Sequence, residues 1–300
     1  MRERVRVAAV QLEARRYRDA EEYFRGMAAV LDRAGEVDLA VFPAYTGLML
    51  LEAVVGEPLT LDRSLAERVD AYGERLLQLF TEGWASLAKA RGSYILAGTA
   101  PLLEAGKRSH AAVLFGPSGE VVGTQPQTHL LPEEREAGWS AGVELRVFPT
   151  EIGPLGVLVN TDAWYPEASR ILSLQGAALL LAVNAVPKPY EYWHQVRGLW
   201  QEVQQNQVFG VESGLVGSAF GREFEGRTAA FGPCEVTPGE TGWIGALEDP
   251  TQPGVLTVEL SYARLQEAID QYSIFEQFHV ALYDRFLPGI YLVATPPEAG

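Results

Sequence analysis

The sequence predicts an α/β protein built as a four-layer α-β-β-α sandwich. Three observations carry this. Val5 to Pro43 reads as strand, helix, strand with short links, the parallel crossover pattern. Leu155 to Asn184 repeats that rhythm. No stretch has the composition of a linker, so two sheets are expected to face each other in one domain, residues 1–300, with helices outside.

In the first half, Val5 to Leu12 alternates and is β-rich, a buried strand. Asp19 to Ala34 is a helix, with Tyr23, Phe24, Met27, Val30 and Leu31 on one face and Gly35 as its C-cap. Asp38 to Phe42 is a short apolar strand ending at Pro43-Ala44-Tyr45. Ser64 to Ala90 is a long helix, with a break expected near Gly83. Tyr94 to Thr99 is a strand. Ala111 to Phe115 and Val121 to Thr124 form a hairpin around Gly116-Pro117-Ser118-Gly119.

After a polar loop come strands at Val143 to Phe148 and Leu155 to Val159. Pro166 opens a helix that Gly176 closes. Ala178 to Val183 is the next buried strand. Tyr190 to Val208 is a helix with Trp193, Val196, Trp200 and Val203 as its stripe. Strands follow at Val208 to Ser213, Thr228 to Phe231 and Val255 to Leu260, then a helix from Tyr262 to Gln271. The tail, 273–300, is aromatic and aliphatic (Ile274, Phe275, Phe278, Leu282, Phe286, Ile290, Tyr291) past the last core element. It is expected at a subunit interface of a homo-oligomer, a dimer or larger.

Composition narrows function by exclusion. With 47% hydrophobic and 21% charged residues the chain can build an ordinary globular core. A net charge of −15 speaks against nucleic-acid or anionic-membrane partners. The densest basic run, Arg15, Arg16 and Arg18, meets Asp19, Glu21 and Glu22 at once and reads as a solvated helix entrance. No run reaches ~18 uninterrupted apolar residues, and the N-terminal apolar run is too short for a signal peptide. The single cysteine, Cys234, precludes an internal disulfide or a cysteine metal cluster, so a cytoplasmic protein is expected. His110, His129, His194 and His279 lack ligand spacing, and no glycine-rich phosphate loop is present; no metal and no cofactor are expected.

The chemistry points to Gly153 to Ala185, which reads as strand, tight loop, helix, strand. The residue at the loop, where a nucleophile would be presented, is Asn160. A rival signal is Gly138-Trp139-Ser140-Ala141-Gly142, which matches G-x-S-x-G. That motif needs a strand before it and a helix after it. Here Glu133 to Glu136 precede it and a strand follows, so Ser140 reads as a loop residue.

At Phe42-Pro43, Thr128-His129-Leu130 and Asp162-Ala163-Trp164-Tyr165-Pro166-Glu167 the chain resembles the carbon–nitrogen hydrolase (nitrilase) superfamily. VAAVQL near the start, the GPSGE hairpin, QQNQVFGV and EGRTAAFGP agree with it, over nearly all of residues 4 to 272. The resemblance implies the same four-layer sandwich. It also implies a mechanism: a cysteine thiolate attacks an amide or nitrile carbon, a glutamate moves the protons and a lysine steadies the oxyanion. By motif position the glutamate falls on Ala44, the lysine on Gln127 and the cysteine on Asn160, so all three are replaced. The expected protein has the frame without the chemistry. It binds a small amide- or carboxylate-like molecule or serves as a scaffold.

The alternative is a hydrolase using a different set of groups, with Glu134 and His129 placing a water. Glu134 falls where family members keep a second glutamate, although Glu133 and Glu136 are close enough to blur the assignment. Tyr45, His129, Asp162, Trp164, Lys188 and Trp193 are the remaining candidates for the pocket. Thr161 is expected on the opposite face from Asn160 if strand geometry persists. Cys234 lies in a different segment and reads as a small apolar residue.

Overall fold

The computed structural model describes residues 2–104 and 106–294. The first half runs β1 (Arg4–Ala14), α1 (Ala20–Ala34), β2 (Leu39–Val41), α2 (Thr46–Val55), α3 (Arg63–Arg91), β3 (Tyr94–Glu104), β4 (Lys107–Phe115) and β5 (Val121–Pro126). A loop carrying the short α4 (Pro132–Glu136) leads to β6 (Val147–Phe148), β7 (Leu155–Val159), a 3-10 turn (Asn160–Trp164), α5 (Pro166–Leu174) and β8 (Leu179–Asn184). Next come α6 (Tyr192–Gln195), a π turn (Val196–Trp200) and α7 (Gln201–Asn206). The chain closes with β9 (Phe209–Ala219), β10 (Arg222–Phe224), β11 (Ala229–Phe231), β12 (Trp243–Ala246), β13 (Gly254–Ser261), α8 (Tyr262–Gln271) and α9 (Val280–Ala294).

The strands pair in the order β5-β4-β3-β2-β1-β9-β8-β7-β6. The path has two halves that meet where Leu12–Ala14 of β1 runs parallel to Leu215–Gly217 of β9. Ser213 ties the joint further: its hydroxyl donates to the carbonyls of Val10 and Val41. Gln11 does the same from the other side, accepting from the Thr228 amide at 2.9 Å.

Three separate apolar clusters correspond to the three interfaces of a four-layer sandwich. Tyr23, Met27, Leu48, Phe80 and Trp84 of α1, α2 and α3 pack on the outer face of the first half-sheet. Val7, Leu39 and Leu96 meet Val157, Leu181 and Val211 between the half-sheets. Leu172, Leu199 and Val203 cover the outer face of the second half-sheet. Alternation along β1 and β7 explains this, because successive side chains serve opposite faces.

Some expectations need correction. Helix α3 passes through Gly83 without a break. A Cβ there would lie 2.0 Å from the Phe24 ring, so the glycine serves close helix packing. Of the strand expected at Val143 to Phe148, residues 143–146 are not strand; Val143 is 93% exposed, and only Val147–Phe148 pair. The helix over Tyr190 to Val208 is interrupted at Gly198, whose ψ of −132° is not helical, and Trp193 of its expected stripe faces out. Helix α2 was not anticipated. Its N-cap is Tyr45 in the left-handed region with no side-chain cap, so no capping signal marks it.

The tail is a 3-10 turn (Phe275–Gln277) followed by α9. The Arg170 guanidinium lies over the Phe278 ring at 4.9 Å, and Tyr291 hydrogen-bonds Glu167, which anchors this segment on α5. Val280, Leu282, Phe286, Leu287 and Ile290 remain exposed. Residues 295–300 of the expected interface tail lie outside the described residues. Among those described, no helix is long and apolar enough to cross a membrane.

Candidate functional site

Strand β7 ends at Val159, and Asn160 follows with φ 49°, in the left-handed region. Asparagine tolerates that conformation better than most residues. The turn is pinned by Asp162, which is fully buried. Its carboxylate accepts the Val159 amide (3.2 Å), the Thr128 amide (3.0 Å) and hydroxyl (2.9 Å), and the His129 amide (2.7 Å). One carboxylate thus clamps the 127–129 loop onto the end of β7. Asp162 acts on the Val159 amide and on the backbone and side chains of Thr128 and His129, and does not line the cavity described below.

The clamp sets Gln127 beside Asn160. Asn160 Nδ2 donates to Gln127 Oε1 at 3.3 Å, and Asn160 Oδ1 accepts the Ala185 amide at 3.0 Å. Gln127 is fully buried; its Nε2 faces the His129 carbonyl (2.9 Å), Glu134 Oε2 (3.0 Å) and Thr161 Oγ1 (3.2 Å). Thr161 therefore turns to the same side as Asn160. The chain leaves strand geometry at residue 160 and enters a 3-10 turn, which removes the alternation behind the earlier expectation. Ala44 is fully buried after β2.

Glu134 is the member of its acidic cluster that contacts this network; Oε2 also accepts the Leu131 amide at 2.7 Å. Burial pushes its carboxyl above the usual range, with the Leu131 and Gln127 hydrogen bonds opposing. Glu136 is exposed.

Asn160 opens on a cavity of about 150 Å³. Of the expected site residues, Tyr45, Glu134, Asn160 and Trp164 line it. Others lie elsewhere. His129 is held by Asp162 and stacked on Tyr165 (4.1 Å, 11°); it lines a shallower groove with Thr128 and Glu144. Glu134 and His129 thus do not share the cavity. Lys188 is half exposed and ion-paired to Glu223 (3.2 Å) and Glu225 (3.6 Å). Trp193 stacks on His194 from outside, and His194 is the one that lines the cavity. Cys234 lies outside the lining, and burial pushes its thiol up, away from thiolate.

Sequence reasoning missed several lining residues. His110 of β4 is buried and stacked on Trp139 (3.5 Å, 26°); burial alone lowers its imidazole to about 3. Glu212 of β9 is 7% exposed; burial raises its carboxyl to about 7, against hydrogen bonds from Asn184 and Gln195. Arg222 and Phe224 of β10 complete that side. A signal existed for two of these. His110 and Glu212 each interrupt an apolar strand, where an ionisable side chain needs a reason.

Chemically, Ala44, Gln127 and Asn160, the positions that the sequence resemblance assigns to the triad, carry no thiol, carboxylate or ammonium. The Asn160 amide nitrogen has a delocalised lone pair, and both ends of its side chain are already hydrogen-bonded. Among the described residues, no group of three His, Cys, Asp or Glu is placed to hold a metal ion.

Residues 6–270 match the family described as Carbon-nitrogen hydrolase. A probable hydrolase, YhcX, of Bacillus subtilis is 28% identical over 71% of this chain, and the match spans only 41% of that protein's length. An (R)-stereoselective amidase of Pseudomonas sp. is 27% identical over 76% of this chain and 78% of its own. Among solved structures, an amidase from Nesterenkonia sp. AN1 superposes with TM-score 0.71 at 22% identity, covering 94% of this chain and 96% of that one. Saccharomyces cerevisiae Nit3 superposes with TM-score 0.72 at 17% identity, covering 91% and 95%. The structural likenesses establish the nitrilase fold; the family match over most of the chain establishes that this protein belongs to the carbon–nitrogen hydrolase family.

Proposed function

We propose that this carbon–nitrogen hydrolase family member binds a small molecule in the cavity at Asn160 and does not cleave it by the thioester route. The observation carrying the reading is the neutral pair Asn160–Gln127 at 3.3 Å, with Ala44 in the third position. A buried charge stripped of its partner costs about 3–5 kcal/mol. Replacing all three members by neutral groups avoids that cost and leaves the frame intact. The relatives' amidase names bear on the shape of ligand, an amide- or carboxylate-like small molecule, more than on turnover.

The test is incubation with a panel of amides, nitriles and N-carbamoyl compounds, reading ammonia. The expected result is no release above buffer. Release at enzyme-like rates, about 1 s⁻¹ or more, overturns the reading.

The same proposal includes assembly through α9 and a cytoplasmic setting. A second copy is the natural cover for Val280, Leu282, Phe286, Leu287 and Ile290, which follow the last core element and stay exposed. A lone cysteine suits a reducing compartment.

A further inference from the structure

Five non-glycine residues among those described take the left-handed backbone region, and three of them gather around one hydroxyl. Tyr45 (φ 68°) and Asn160 (φ 49°) line the cavity, and the ring of Phe220 (φ 55°) meets Tyr45 edge-on at 6.1 Å. An aromatic residue gains nothing locally from this conformation, so the surrounding structure must impose it.

At Tyr45 the imposing groups are visible. Thr99 Oγ1 accepts the Tyr45 amide at 2.8 Å, and Thr46 Oγ1 donates to the Ala97 carbonyl. Gly98 admits the Pro43 carbonyl so closely that a Cβ would lie 2.0 Å from it. The ring is then held by Phe220, by Phe224 at 6.1 Å and by His110 at 5.4 Å. A strained backbone and three rings thus fix one side chain, 7% exposed, in the cavity wall.

Burial pushes the Tyr45 phenol above its ordinary value; Glu134 adds to this, while Arg222 and Asn160 oppose it. All three residues line the cavity, so the hydroxyl they act on faces it. Asn160 opposes as a donor does, and its Nδ2 has a second proton beyond the one given to Gln127. The phenol keeps its own proton, and no acceptor among the described residues takes it. The orphan hydroxyls of Tyr23, Tyr190 and Tyr262 are sealed, whereas that of Tyr45 keeps accessible surface. A donor held in place with room in front of it and no acceptor is completed by a ligand.

We infer that Tyr45 is the specificity-determining residue of the cavity, its hydroxyl donating to an uncharged carbonyl oxygen of the ligand beside Asn160. A carboxylate at the same place would face Glu133 and Glu134, which line that side too. This rests on the reading that the Asn160 cavity is a ligand site.

The experiment titrates three probes of one size, butyramide, n-butyrate and 1-chlorobutane, into the full chain and follows binding by NMR. Butyramide is expected to bind tightest. Tyr45→Phe removes the hydroxyl and keeps the ring; it should weaken butyramide about tenfold, the size of one hydrogen bond, and change 1-chlorobutane by less than about twofold. Phe220→Leu lies outside the lining and frees the Tyr45 ring, so it should weaken butyramide several-fold and spare 1-chlorobutane. It serves as the independent variant if Tyr45→Phe is not folded by circular dichroism.

An unchanged butyramide affinity in Tyr45→Phe, an equal loss for 1-chlorobutane, tighter binding of n-butyrate, or no binding of butyramide to the parent overturns the inference. Ammonia release from butyramide would instead sink the non-hydrolytic reading, and leave the measured role of the Tyr45 hydroxyl standing.

Discussion

Asn160 and Gln127 are joined side chain to side chain at 3.3 Å, and the Ala185 amide takes the other end of Asn160 at 3.0 Å. The end of β7 is thereby tied to the 127–129 loop by neutral hydrogen bonds where the family resemblance implies a nucleophile and a cation.

Restoring charges one at a time should be costly in different degrees. Ala44→Glu places a carboxylate in a fully buried position and should destabilise by about 3–5 kcal/mol. Gln127→Lys should cost less, because Glu134 Oε2 already sits 3.0 Å from the replaced nitrogen. The double variant should recover about 1–3 kcal/mol relative to the sum of the singles, read by urea unfolding as a double-mutant cycle. Strict additivity would show that the two positions do not face each other. Asn160→Cys alone should release no ammonia from amides, since neither proton acceptor nor oxyanion partner returns with it.

Glu212 should make the protein less stable as pH rises. Its folded-state pKa of about 7 lies above the ordinary value of 4.5. The folded state therefore holds the proton more tightly, and stability present below the unfolded pKa is lost as pH climbs through the folded one. Between pH 5 and pH 8 this amounts to roughly 2–3 kcal/mol. Glu212→Gln should remove that slope and raise Tm at pH 8 while leaving Tm near the parent's at pH 5. A parallel Tm-versus-pH profile for the two proteins would contradict a buried carboxyl here.

His110 should act in the opposite direction. Its folded-state pKa of about 3 is below the ordinary 6.5, so its stabilising contribution is present above 6.5 and is lost as pH falls. From pH 7 to pH 5 the loss is about 2 kcal/mol. His110→Phe keeps a ring against Trp139 and cannot titrate, so its stability should change less over that interval in denaturant titrations. An unchanged acid slope would place the titration elsewhere.

Gly83→Ala should destabilise although alanine is the better helix former. Helix propensity favours the change by about 1 kcal/mol, yet the new Cβ would lie 2.0 Å from the Phe24 ring. Displacing that ring should outweigh the gain, for a net loss of about 1–2 kcal/mol. Adding Phe24→Ala should make Gly83→Ala neutral or favourable. A higher Tm for Gly83→Ala alone would mean that α1 and α3 are looser than their contact implies.

Removing residues 280–300 should convert an assembled protein to a monomer by light scattering, with the cavity's ligand affinity unchanged. An intact chain that is already monomeric at working concentration would refute assembly through α9.

The sequence by itself determined the layers. Period-two alternation in Val5 to Leu12 and Leu155 to Val159, and the helical stripe of Tyr23, Met27 and Val30, are local patterns set by backbone geometry. It also determined that Ala44, Gln127 and Asn160 carry no thiol, carboxylate or ammonium, since residue identity needs no coordinates. Tertiary structure alone decided what surrounds them. Thr161 turned inward because the chain enters a 3-10 turn after Val159, and His129 turned away because Asp162 holds its ring outside. Glu212 and Asn184 became a pair 28 residues apart in sequence because β8 and β9 run side by side, placing Ala182 opposite Glu212 and Asn184 two residues further along, on the same face. Register between distant strands is fixed by the packing of both faces, and no single stretch of sequence contains it.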